Sequence, residues 1–118
     1  MSQNFQAGDF LIFQLESGYG LLRILAIDET DGEQIWHLAA YNELFPDIEF
    51  ADAALENPRN LSVSVPHVAL TTRAFDSTQT ARMKNEPLGE AELAPLAEWR
   101  ESGGAVTDRS IRLMLGLR

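Results

Sequence analysis

The sequence predicts an α+β fold, a small antiparallel β-barrel or strongly curved sheet with one helix in its second half and a closing strand. Three observations predict it. Two apolar runs, residues 10–15 and 19–27, crowd β-branched and aromatic side chains around a break at Ser17-Gly18, which is a hairpin signal. A polar segment with an Asp31-Gly32 pair then leads into a third apolar run, residues 35–41, which completes an antiparallel meander. Far downstream, Leu93, Leu96, Ala97 and Arg100 stand at helical spacing behind an acidic first turn.

Residues 1–8 read as a lead-in anchored by Phe5, with a turn at Gly8-Asp9. In the first strand Phe10, Ile12 and Gln14 face one way and Leu11, Phe13 and Leu15 the other. The second strand sets Leu22 and Ile24 against Leu21, Arg23 and Leu25. Both strands are therefore apolar on two faces, as central or barrel-wall strands are. Arg23 is expected to form a surface or rim ion pair with a neighbouring carboxylate.

Beyond Tyr41, Pro46 and its flanking acids predict a turn or one helical turn, with Phe45 closing onto the sheet. Residues 48–55 fit either a short strand or a helical turn near 52–55, stopped at Asn57-Pro58. Leu61, Val63 and Val65 alternate with Ser62 and Ser64 as in a half-exposed strand, which Pro66 ends or marks as an edge. Residues 67–72 are extended again, bringing the expected strands to about five. Residues 76–84 read as a connection, weakly helical at 81–84. A helix is expected over 90–101, stopped by Ser102-Gly103-Gly104; Pro95 inside it is costly unless the helix starts close to it, which leaves a break near Ala94 as the alternative. Ile111, Leu113, Leu115 and Leu117 alternate as in a closing strand. With no repeat or linker between these pieces, residues 1–118 are expected to form one domain.

Composition removes several function classes. Without cysteine there is no disulfide framework, thiolate metal site or cysteine nucleophile. No apolar run approaches the roughly 18 residues of a membrane span, and the amino terminus lacks the basic start of a secretory signal, so a cytoplasmic protein away from membranes is expected. The net charge of −9 is uneven: residues 1–58 hold eleven acids against one base, Arg23, a net of −10, whereas the remainder holds seven acids and eight bases. That field repels phosphate backbones, so nucleic acid is not an expected partner. It serves solubility, and it also suits steering toward a basic protein.

Chemistry-bearing motifs are sparse. His37 and His67 stand in no metal-ligand spacing, and strand histidines commonly serve as hydrogen-bonded structural residues. Ser62 and Ser64 lie in a plain alternating strand with no nucleophile elbow. Gly18-Tyr19-Gly20 reads as a hairpin turn, and the acid pairs Asp28/Asp31 and Glu90/Glu92 read as solvated loop and helix-start residues. No catalytic residue, metal or cofactor is expected.

Residues 8–13, Gly-Asp-Phe-Leu-Ile-Phe, followed by residues 18–25, Gly-Tyr-Gly-Leu-Leu-Arg-Ile-Leu, resemble the opening of SH3-like β-barrels. Over residues 5–28 the chain is similar to immunity proteins of bacterial polymorphic toxin systems. The resemblance implies a protein that binds and neutralises a toxin enzyme, and it carries no catalytic residues.

The leading expectation is a non-enzymatic module whose acidic half engages a basic protein. Its candidate contacts are Asp28, Glu29, Asp31, Glu33, Glu43, Asp47 and Glu49, with Tyr19, Trp36, Tyr41 and Phe45 as aromatic anchors. Two alternatives stand beside it: a small-molecule-binding protein or small enzyme with a pocket near His37 and His67, and a structural homodimer subunit.

Overall fold

The structure is a computed structural model that describes residues 5–111. Its elements run β1 (Asp9–Leu15), β2 (Gly18–Thr30), β3 (Glu33–Phe45), α1 (Ile48–Ala54), a 3₁₀ turn (Pro58–Asn60), β4 (Val63–Thr71), α2 (Thr72–Asp76), β5 (Thr80–Asn85) and α3 (Glu90–Glu101). The five strands form one antiparallel sheet in the order β4-β3-β2-β1-β5. The fold is thus α+β, and among the described residues the sheet is open, with β4 and β5 at its edges.

The meander forms where the apolar runs require it, and its strands outgrow the runs. Asp31 and Gly32 both take positive φ, 52° and 79°, between Thr30 and Glu33. That is the twist-matched two-residue turn that Asp-Gly supplies, and it lets β2 and β3 pair out to their polar ends.

Strand alternation divides the core between two faces. On one, Leu11, Phe13, Leu15, Leu22, Ile24, Trp36 and Leu38 pack with Leu70, Ala74, Phe75 and Ile111. The anchoring expected of Phe5 is present there, its ring edge-on to Trp36 and Phe75. On the other face α1 covers Phe10, Ile12 and Leu21 through Ala51 and Leu55, while α3 covers Leu25 and Ala39 through Leu96. Each helix buries little of itself, so the sheet is the scaffold and the helices are its cover.

Several expectations are corrected. Residues 48–54 are helix, because the Asp47 carboxylate caps them by accepting the Phe50 N–H at 3.0 Å. Of the two alternatives at Pro66 the edge holds and the strand end does not: β4 is an edge strand and runs through the proline, whose missing N–H needs no partner there. Residues 72–76 form α2, capped by the Thr71 hydroxyl, and the stretch read as a connection contains β5. That strand escaped the pattern because its outer edge is polar and carries Arg82 and Lys84, which discourage edge-to-edge pairing. The helix over 90–101 forms without a break at Pro95, and the Gly89 N–H donates to Glu92 Oε1 at 3.0 Å at its start. The closing strand expected from Ile111 onward lies, past that residue, outside the described residues.

Candidate functional site

The turn at Asp31-Gly32 sets the register that builds the first site. Asp28 pairs with Ile35, and His37 stands two residues beyond Ile35, so Asp28 and His37 share a sheet face. On the far side His37 pairs with Ala69 in β4, which puts His67 on that face as well. His37 Nε2 lies 2.9 Å from Asp28 Oδ2, and His37 Nδ1 lies 2.9 Å from His67 Nε2. From α3, Arg100 Nη2 donates to Asp28 Oδ1 at 2.9 Å, and the Trp99 indole rests over both imidazoles at centroid distances of 4.8 and 5.7 Å. His37 is wholly buried, whereas His67 borders a shallow hollow lined by Trp99 and residues 105–109.

The carboxylate fixes the tautomers. Asp28 can only accept from neutral His37, so Nε2 carries the hydrogen and Nδ1 is the acceptor. His67 Nε2–H then donates to His37 Nδ1, leaving Nδ1 as the acceptor nitrogen of His67. Burial pushes His37 below the ordinary imidazole value, with Asp28 opposing and the Arg100 charge assisting. Burial, then the charges of His37 and Arg100, push His67 down to about 4. Burial favours the neutral acid at Asp28, but hydrogen bonds from His37 and Arg100 outweigh it and hold the carboxyl below its ordinary value. At neutral pH the array is a carboxylate and two neutral rings. Among the described residues no group of three or more His, Asp and Glu is arranged to hold a metal ion.

A second cluster surrounds Arg23, and here the expectation of a surface or rim ion pair is corrected. Arg23 is 3 % exposed, lies over the Phe10 ring at 4.1 Å, and donates from Nη2 to the carbonyls of Glu86 and Pro87 at 2.9 and 3.2 Å. Its carboxylate partner is Glu92 of α3, 3.4 Å from Nη1. The guanidinium thus ties the 86–92 segment to the sheet, at one wall of an open cleft of about 820 Å³ that Tyr41, Pro58, Arg59, Leu61 and Lys84 also line. Side chains of both signs line that cleft, Arg23, Arg59 and Lys84 with Glu56, Glu86 and Glu92.

Six of the acids expected as partner contacts fall into two groups. Glu29, Asp31 and Glu33 are exposed at the β2–β3 tip, beside Arg73, which pairs with Asp108. Glu43, Asp47 and Glu49 lie at the opposite end of β3. Twelve steps of about 3.3 Å separate the two ends, so no compact epitope spans both. Asp28 belongs to the histidine array, and Trp36 is a core residue stacked on Phe75 at 4.2 Å. Tyr19, Tyr41 and Phe45 are half-buried against the cluster beneath α1. Two of the acids are also structural. Asp47 caps α1, and Glu43 accepts the Ser62 N–H at 2.9 Å and its hydroxyl at 2.9 Å; burial opposes ionisation there, but these bonds hold the carboxyl below its ordinary value.

Sequence reasoning missed three of the exposed large apolar side chains among the described residues. Leu44 and Ile48 are each 49 % exposed and Phe50 is 59 % exposed, all within residues 43–50 and interleaved with Glu43, Asp47 and Glu49. The signal was the amphipathic spacing of α1: Ala51 and Leu55 face the sheet, four residues apart, which sends Phe50 outward. Searches of protein-family models, curated proteins and solved structures find no match to this chain.

Proposed function

We propose that the chain is a non-enzymatic protein-binding module that docks a basic partner on the segment from Glu43 to Asp52. The observation that carries this reading is the exposure of Leu44, Ile48 and Phe50 among acids. Large exposed apolar side chains rimmed by polar ones mark protein-binding surfaces, and the carboxylates select positive charge. The net of −10 in residues 1–58 adds long-range attraction to the same partner. The strand-turn-strand opening at residues 5–28 resembles SH3-like immunity proteins, and on that resemblance the partner is a toxin enzyme with a basic surface.

Because Asp47 and Glu43 serve the fold, Glu49 and Asp52 are the acids to change. Captured partner should bind Phe50→Ala at least tenfold more weakly, in the range of an aromatic anchor, with the melting temperature unchanged. The Glu49→Lys/Asp52→Lys protein should associate more slowly and with a shallower salt dependence. A partner without excess positive charge, or one that binds both variants like the parent, rejects the proposal.

A second reading rests on the 2.9 Å contact between His37 and His67. In it the hollow beside His67 holds a small ligand or substrate that uses the acceptor nitrogen of that ring, and His37 orients it from beneath. Ring-proton NMR during a ligand screen tests it: a compound that shifts both histidines and is lost with His67→Ala supports this reading, and none doing so rejects it.

A further inference from the structure

We propose that the contact between His37 and His67 is an acid-operated latch on α3: with one hydrogen between the two rings the helix stays docked, and with both rings protonated to imidazolium it is released from the sheet.

The hydrogen-bond chain counts protons. In the neutral array a single hydrogen occupies the space between His37 Nδ1 and His67 Nε2, 2.9 Å apart. One added proton is tolerated, because His37 becomes an imidazolium bonded to Asp28 on one side and, once His67 switches tautomer, donates to His67 on the other. A second proton has no such place. Both facing nitrogens then carry hydrogens, the bond between the rings is lost, and two cations are left in contact.

The surroundings do not neutralise that charge. The groups facing the pair are Asp28 from β2 and Arg100 from α3, with Asp108 and Arg109 from the segment lining the hollow beside His67. Asp28 is already shared with Arg100, which repels an imidazolium, and Asp108 is paired with Arg73. His37 is wholly enclosed, and its cover on this face is α3 itself, through Trp99. Water reaches a charged His37 most directly if that cover lifts.

The cover is also the weakest attachment nearby. β2 and β3 pair from Tyr19–Phe45 out to Thr30–Glu33, interrupted by bulges at Gly20/Leu22 and Ile24/Ala26, and β4 pairs along β3. By contrast α3 holds the sheet through Leu96, the partly buried Leu93 and Trp99, and the two ion pairs Arg23–Glu92 and Arg100–Asp28. Downstream, Thr107 exchanges backbone hydrogen bonds with β4 at 2.9 and 3.1 Å, which tethers a released helix so that it can return. Both histidines are held below their ordinary value while docked, so opening takes up protons as pH falls from about 6.5 toward 4. Each proton taken up shifts the opening equilibrium about tenfold per pH unit.

The test is hydrogen exchange of the intact protein between pH 7.5 and 4, corrected for the intrinsic pH dependence of exchange, together with NMR titration of the ring protons. Only two histidines are present, so the titrations resolve directly. Amides of residues 90–101 should lose protection at least tenfold below pH 5 while those of β2 keep theirs, and the second of the two ring protonations should coincide with that loss. His67→Gln, on a half-exposed edge-strand residue, keeps an amide donor for His37 and removes one proton site, so its helix should stay protected to pH 4. The latch is overturned if the wild-type helix stays protected while the rings titrate near 6.5, if α3 and β2 open together, or if His67→Gln opens at the wild-type pH.

Discussion

Replacing Ile24 with alanine tests the central claim about the fold. Ile24 is fully buried on the face packed beneath Phe5 and α2. The change removes three buried carbons at about 0.8 kcal/mol each, roughly 2.4 kcal/mol in transfer terms. A cavity term follows, and its size depends on how far the surroundings can collapse. Collapse is limited here: Ile24 pairs with Leu38 in β3, and its carbonyl accepts the Gly8 N–H at 2.8 Å, so the backbone is held from both sides. The total should therefore lie at about 3–5 kcal/mol, the upper part of the large-to-small range. For a chain of this length that corresponds to a melting temperature lower by about 10–20 °C. Urea unfolding should show a lower midpoint at an unchanged slope, which assigns the loss to the native state. A variant melting within about 3 °C of the parent refutes the placement of β2 at the centre of the sheet.

Glu33→Gln changes an exposed residue beside the β2–β3 turn and should cost under about 0.5 kcal/mol in the same melts. Gly104→Ala should cost about 1–3 kcal/mol and perturb Trp99 fluorescence, because the new Cβ would collide with the indole, whose Nε1 donates to the Ala105 carbonyl. Asp28→Asn should cost about 1.5–3 kcal/mol by urea unfolding, since one substitution weakens the charged hydrogen bonds of both His37 and Arg100. Stability should fall as pH drops below about 6.5. Both histidines have lowered values in the folded protein, so the unfolded chain binds more protons in that window, and the stabilisation present above it is lost as pH falls toward the folded value of about 4 at His67. Water around half-exposed His67 screens its share to about 1–2 kcal/mol. Urea titrations at pH 7.5, 6, 5 and 4.5 measure the trend, and flat stability across them contradicts it.

What the sequence determined by itself was the meander and its turn. Period-two alternation in residues 10–15 and 19–27 assigns each side chain to a face before any partner is known, and Asp31-Gly32 imposes one backbone twist, so local physics was enough. The helix over 90–101 was legible for the same reason, its period and its stop both being local signals. Strand β5 was not, because its pairing with β1 satisfies a polar, lysine-bearing edge that has no period of its own. The histidine array lay half within reach, since the turn and the pairing it starts place Asp28 and His37 on one face. His67, Trp99 and Arg100 join them across at least 30 residues of chain, and only the packing of β4 and α3 on the sheet decides that. Arg23 shows the same limit: its neighbours in sequence suggested a surface ion pair, whereas the carbonyls of Glu86 and Pro87 make a buried guanidinium affordable. Those acceptors are more than 60 residues away, and a long-range hydrogen bond leaves no periodic trace in the chain that forms it.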